Sequence, residues 1–284
     1  MQGRRRGPHP ATRSPRCSGE PRRPADRPRS RGPREGAVLK GLFVPHRIAG
    51  SLQRGRLVER PNRFLGVVAL ESGAVVEAHI ADRGRLEEIL FPGAEVYVVP
   101  AAGPTRRTAF TLVCARCPPL GDAPLGPLGC LDPAGANRLV RTLLEAKAIE
   151  GLPAFGAVRP EVKVGASRFD FALALDDGRR LLLEVKSVAV ARGRAALFPD
   201  APSERAARHC RELAAHVRAG EPAAIVLVAQ RADVEEIRPH PVDPGFALAL
   251  AEAQGAGVLL RGVAFDVGLE GFRFAGMRPV VVDA

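Results

Sequence analysis

Residues 168–190 read RFDFALALDDGRRLLLEVKSVAV, two apolar segments joined by an acidic turn. The alternation is that of β-strands. Phe169, Phe171, Leu173 and Leu175 share one face of the first, and Leu181, Leu183 and Val185 one face of the second. Asp170, Glu184 and Lys186 fall on the opposite faces. Register decides whether those charges meet. A two-residue turn at Asp177-Gly178 pairs 175 with 180 and sets Asp170 and Glu184 on opposite sides of the pair. A three-residue loop, Asp176-Asp177-Gly178 with Gly178 left-handed, pairs 175 with 179 and 170 with 184. The second keeps the apolar faces together, whereas a slip by one residue buries the charges, so the three-residue loop is expected.

Opposed β-carbons lie about 5 Å apart, and two carboxylates that close repel unless a cation joins them. Hard oxygen ligands suit Mg²⁺ or Mn²⁺, and such an ion activates water and neutralises charge on a phosphodiester. Lys186, two residues on from Glu184 on the same face, is placed to orient that water or to stabilise the phosphate. The constellation therefore points to metal-dependent phosphodiester cleavage. The competing reading is a solvent-facing ion pair. Only four of the 42 basic residues are lysines, and a chain that uses Arg nearly everywhere still places Lys at 186.

Outward from this hairpin, residues 119–284 alternate helix and strand. A helical stripe in 137–151 ends at Gly151. Strands follow in 157–164, 168–175 and 180–188, then a helix over 200–220, a buried strand AIVLVAQ, a helix capped by Asp243-Pro244, and a last strand VLLRGVAF. The order is that of an α/β domain. Upstream, residues 37–118 carry short β-rich runs with turn signals, including a hairpin turning at Glu71-Ser72-Gly73 and a short helical turn RLEEIL. They suggest a small OB-like barrel. Residues 118–135, dense in Pro and Gly, read as a linker.

Residues 1–36 hold 11 Arg and three acids, so +8 of the net charge of +11 lies there and +3 in the rest. This segment lacks apolar periodicity and is expected to be disordered. It is either a DNA-attracting arm or the product of a misassigned start, and the second is favoured. The five cysteines are scattered and form no disulfide framework. No apolar run approaches the roughly 20 residues needed to span a bilayer. The expectation is a cytoplasmic protein with no membrane partner.

An Asp on one strand followed by Glu-x-Lys on the next, after an α-β start and before a helix, resembles the PD-(D/E)xK nucleases. The longer strings PNRFLG, EAH…GRLEEILFPG, EVKVGASRFDF, LLEVKSV and FPDAPSERAARHCREL are more specific. They resemble the sugar fermentation stimulation protein family, SfsA, over roughly residues 50–265. The resemblance implies an N-terminal OB-like domain, a C-terminal PD-(D/E)xK nuclease-like α/β domain, and DNA binding linked to regulation of sugar (maltose) metabolism genes. It implies nuclease roles for Asp170, Glu184 and Lys186. The acid often supplied by the first helix of such nucleases is less clear. That helix opens Asn137-Arg138 and offers Glu145 only later, so Glu161 on the preceding strand is the alternative metal ligand. Many family members carry Asn-Thr-Gly after the His of the first domain, where this chain has Asp82-Arg83-Gly84. The function expected is DNA binding, with RNA as the other candidate, joined to metal-dependent cleavage. The alternative is a non-catalytic DNA-binding regulator on a nuclease scaffold.

Other residues are weighed on their chemistry. Arg60, Asn62, Arg63, Arg83 and Arg85 surround two turns of the barrel and form a candidate basic rim for a phosphate backbone. Arg168 and Arg205 flank the acidic hairpin and are further nucleic-acid candidates. Asp200 is either a helix cap or, with Glu204, part of the cleft lining. Gln230-Arg231 ends a strand at an edge where ligands often sit. Cys114-Ala-Arg-Cys117 is half of a metal site at most. His79 and His209 lack partners in the sequence and receive no role. There is no P-loop and no G-x-G-x-x-G.

Overall fold

The computed structural model describes residues 41–46, 50–82, 84–103, 106–120 and 122–283, all within one compact unit. The basic tail and Arg83 lie outside the described residues.

Five strands close a barrel: β2 (Gln53–Asn62), β3 (Leu65–Leu70), β4 (Val75–Ile80), β5 (Glu95–Pro100) and β6 (Phe110–Arg116). Their order is β4-β3-β2-β5-β6, antiparallel until a parallel β4–β6 pairing joins the ends. Period-two patterning drives this. In β3, Gly66, Val68 and Leu70 are buried while their neighbours are half-buried. Val68, Leu70, Ala78, Ile80, Val96, Val98 and Leu112 fill the interior. The hairpin at Glu71-Ser72-Gly73 forms as expected, with Gly73 at φ 89 and its N–H donated to the Leu70 carbonyl at 2.9 Å. A single turn at 86–90 places Leu86, Ile89 and Leu90 in the same core.

The second domain is a seven-stranded sheet between helices. Its strands are β1 (Phe43–Pro45), β8 (Phe155–Val164), β9 (Ser167–Leu175), β10 (Arg180–Val188), β13 (Ala223–Ala229), β15 (Leu259–Val267) and β16 (Gly271–Arg278). The order is β1-β16-β15-β13-β10-β9-β8, with parallel pairings at β10–β13 and β13–β15. Helix α1 (Pro133–Glu145) packs on one face; α2 (Glu204–Arg218) and α3 (Pro244–Gly255) pack on the other. β13, AAIVLVA, is buried along its whole length, as a strand covered by helices on both faces must be.

Several sequence expectations shift. β1 falls within residues 37–118, expected to be barrel, but pairs with β16 in the second sheet. The supposed linker contains β7 (Leu128–Cys130), which extends the barrel sheet beside β6. The first helix spans Pro133–Glu145 rather than running to Gly151. Asp132 caps it by accepting from the Ala134 N–H at 3.1 Å with Pro133 in the first turn, and Lys147 at φ 53 lies just past its end. A small sheet of β11 (Val190–Arg192), β12 (Ala195–Phe198) and β14 (Glu236–Pro239), and the strand β16, had no clear alternation to announce them.

The two domains share one core. Tyr97, Val113, Cys114 and Cys130 of the barrel sheet belong to the same buried cluster as Leu139 and Leu143 of α1 and Leu183 of β10. Polar ties reinforce the seam. Asp200 Oδ2 accepts the Leu86 N–H at 2.6 Å, and Arg192 meets Glu88 Oε1 at 2.6 Å.

Candidate functional site

The hairpin β9–β10 has the three-residue loop. Leu175 N–H donates to the Arg179 carbonyl at 2.9 Å, and Gly178, at φ 86, donates to Leu175 at 3.1 Å. Arg180 pairs with Ala174 and Leu183 with Phe171, a register that sets 170 against 184. Hydrogen-bonded pairs recur every second residue in such a ladder. From 175–179 the series runs through 173–181 and 171–183 to 169–185. The ladder ends at Phe171–Leu183, however, and the Val185 N–H donates instead to Asp170 Oδ2 at 2.7 Å. A carboxylate stands in for a main-chain carbonyl, and the strands part there. Phe169, free of the ladder, leaves the face of Phe171 and Leu173 and packs under α2, its ring 5.5 Å from His209.

Glu184 and Lys186 are 4% and 9% exposed, which excludes the solvent-facing ion pair. Lys186 Nζ donates to Glu184 Oε1 at 2.6 Å, and His209 Nδ1 donates to the same oxygen at 2.6 Å. Glu184 Oε2 is buried and has no partner among the described residues. Burial opposes ionisation of Glu184, but the hydrogen bond from His209 and the charge of Lys186 outweigh it and hold this carboxyl below its usual range. Asp170 goes the other way. Burial and the nearby Glu184 charge push it up, against the donors Val185 N–H and Asn137. Asn137 Nδ2 donates to Asp170 Oδ1 at 2.7 Å. At the helix position where an acid was sought, this chain has an amide that orients Asp170. Glu145 is turned away in an exposed pair with Arg141.

Asp170, Glu184 and Lys186 line a cleft of about 440 Å³, closed by Asn137 from α1, Ser203 and Arg205 at the start of α2, and Asp82 and Gly84 of the barrel loop. The first turn of α2 thus faces the cleft, and its dipole favours an anion there despite the two carboxylates. The cleft continues along the domain seam through a pocket that shares Asp82, Gly84 and Ser187 with it. From there it reaches a third pocket, lined by Arg60, Asn62, Arg63 and Arg85, that shares Arg63 and Pro202 with the second.

The remaining candidates separate. Glu161, at φ 50, lies opposite Asp170 across β8–β9 but is exposed in an ion pair with Arg168 at 3.2 Å, and neither residue lines the cleft. The left-handed residue breaks the alternation that would have aimed Glu161 inward. Among the described residues, no three His, Cys, Asp or Glu side chains gather as a metal-binding group. Arg60 is spent on structure: it donates to the Arg85, Arg63 and Gly84 carbonyls, pinning the two turns together. Ser203, not Asp200, caps α2. Glu204, beside Arg205 at the start of that helix, is exposed and does not line the cleft. Arg231 is a buried partner of Asp233 at 2.7 Å, and Cys114 and Cys117 are buried free thiols. His209 is the functional neighbour that sequence reasoning passed over. Its signal was position: it lies one turn from Ala206 and Leu213 on the inward stripe of α2, where a polar ring needs a partner.

Comparisons with known proteins agree with both domains. Residues 58–122 match the family model "SfsA N-terminal OB domain" and 134–271 match "Sugar fermentation stimulation protein RE domain". A sugar fermentation stimulation protein homolog of Moorella thermoacetica is 41% identical over 213 residues, 74% of this chain and 88% of the relative. One from Shouchella clausii is 37% identical over 236 residues, 81% of this chain and 98% of the relative. The solved structure of Pyrococcus furiosus SfsA in complex with Ca²⁺ is similar at a TM-score of 0.72 and 28% identity, covering 86% of this chain and 99% of that one.

Proposed function

The chain belongs to the sugar fermentation stimulation protein family, and from that premise we propose that it is a divalent-metal-dependent nuclease acting on DNA. The observation that carries the reading is Glu184 Oε2, a buried acceptor left open beside a second carboxylate, Asp170. Buried polar atoms normally find partners, and two hard oxygens with an open position suit Mg²⁺ or Mn²⁺. The Ca²⁺ complex of the Pyrococcus furiosus relative supports a divalent ion on this fold. An ion held by Asp170 and Glu184 supplies charge neutralisation at the phosphate and a water of lowered pKa.

The protein's own groups do the rest. Val185 N–H and Asn137 fix the Asp170 carboxylate, and His209 fixes Glu184. Lys186, 2.6 Å from Glu184 Oε1, presents further N–H donors to water or to a phosphate oxygen. Arg205 and the start of α2 draw the phosphate in, and Arg63 and Arg85 hold the backbone where the seam opens on the barrel.

A binding-only regulator is the second reading. It is favoured by one observation: no third acidic or imidazole ligand joins the carboxylate pair among the described residues. The two are separated by incubating the chain from Val38 onward with labelled single- and double-stranded DNA and RNA in Mg²⁺ or Mn²⁺, with Lys186→Ala alongside. Cleavage by the first protein and not the second is expected. Binding by both with no cleavage on any substrate makes the protein a regulator.

A further inference from the structure

A second groove lies on the barrel, beyond the arginine pocket. It encloses about 590 Å³ and is lined by Phe64, His79, Glu77, Arg106 and Arg107, with Asn62 common to it and to the arginine pocket. Phe64 is 50% exposed and forms one wall of this groove. It is held rather than loose. Asn62 Oδ1 accepts the Phe64 N–H at 2.9 Å, and Arg60 donates to the carbonyl of Arg63 at 3.2 Å. Across the groove Arg106 donates to Thr111 Oγ1 at 2.5 Å, and neither Arg106 nor Arg107 forms an ion pair among the described residues.

The topology gives this groove meaning. Phe64 sits in the turn between the first and second barrel strands, Glu77 and His79 on the third, and Arg106 and Arg107 in the loop between the fourth and fifth. Those strands and loops form the face on which five-stranded barrels of this kind take extended polymers. A flat aromatic ring beside guanidinium groups that form no ion pair among the described residues matches one chemistry: a base plane on the ring and its phosphates on the arginines. A base inside a duplex has no free face to offer.

We propose that the Phe64 groove binds an unpaired nucleotide, so that the substrate is a nucleic acid with a single-stranded segment running from the barrel toward the carboxylate cleft. This deepens the nuclease reading and rests on it for the identity of the polymer. Phe64 is the stacking platform, Arg106 and Arg107 take phosphate, and Glu77 is left to accept from a base amino group.

The test is binding, measured without Mg²⁺ so that no cleavage is required. The chain contains no Trp, and 2-aminopurine in a short oligonucleotide reports stacking by its quenching. The wild type is expected to quench the probe and to bind single strands more tightly than duplex. Phe64→Ala should weaken single-strand binding by about tenfold and abolish the quench. Phe64→Trp should restore both, and duplex affinity should move less than about twofold. Arg106→Ala with Arg107→Ala should lower the salt dependence by about two charges. Equal affinity for single strand and duplex, or unchanged binding in Phe64→Ala, overturns the groove assignment even if the protein cleaves DNA. Loss of quenching in Phe64→Ala with no cleavage by the wild type keeps the groove and removes the nuclease.

Discussion

His209→Phe tests whether the imidazole holds Glu184 or merely fills space under α2. The ring is 2% exposed, so a phenyl of similar shape leaves little cavity and meets Phe169, already 5.5 Å away. What disappears is the 2.6 Å hydrogen bond to Glu184 Oε1. A hydrogen bond to a charged group contributes about 1.5–3 kcal/mol. Lys186 still faces the same oxygen at 2.6 Å, so the carboxylate is not left unpaired and the larger cost of about 3–5 kcal/mol for a broken buried ion pair does not apply. The expected loss is about 2 kcal/mol. In a domain of this size that lowers Tm by about 4–8 °C. A double-mutant cycle with Glu184→Leu isolates the contact, because the Lys186 ammonium stranded by Glu184→Leu occurs in both arms and cancels. Urea denaturation of the four proteins should give a coupling of about 1 kcal/mol or more. Additivity within about 0.5 kcal/mol means that the two side chains do not interact energetically, and the positioning role fails.

Glu95 in β5 offers a pH test away from the cleft. Burial opposes its ionisation, but hydrogen bonds from Arg54, Tyr97 and Arg116 outweigh it and hold its carboxyl at about 2, against an ordinary value of 4.5. A depressed carboxyl pKa contributes stability above pH 4.5 that is lost as pH falls toward 2. The stability gap between wild type and Glu95→Gln should therefore shrink over that window, and a constant gap refutes the assignment. At the domain seam, Asp200→Ala removes the acceptor for the Leu86 N–H. Hydrogen exchange at that amide should accelerate at least tenfold while amides of β13 keep their protection; an unchanged Leu86 rate means that the seam is held by apolar packing alone.

What the sequence disclosed follows from what alternation and turn chemistry can encode. Asp176-Asp177-Gly178 is readable because the left-handed residue needs a glycine and the loop length then dictates the register. The closed barrel is readable because β3 and β4 alternate, and α2 because its inward stripe repeats every three to four residues. Contacts between distant segments are not encoded locally. Nothing near Asp200 in the chain points to Leu86, 114 residues away. Nothing near Arg60 shows that its guanidinium is consumed by three carbonyls rather than offered to phosphate. Glu161 fails for a different reason. Strand period alone places it with Asp170, and only the backbone at φ 50 reveals that the period is broken there.

The same break in regularity explains how a charged hairpin survives inside a sheet. A strand flanked by two others has no spare main-chain donors, so a buried carboxylate beside it would find no main-chain partner. Ending the β9–β10 ladder at Phe171–Leu183 releases one donor, the Val185 N–H, and Asp170 takes it. Glu184 lies beyond that point and must be satisfied from its own strand and from α2, which Lys186 and His209 do through a single oxygen. The arithmetic leaves Oε2 over. That open acceptor, in a cleft lined also by Asp170 and Arg205, is what the proposed cation would satisfy.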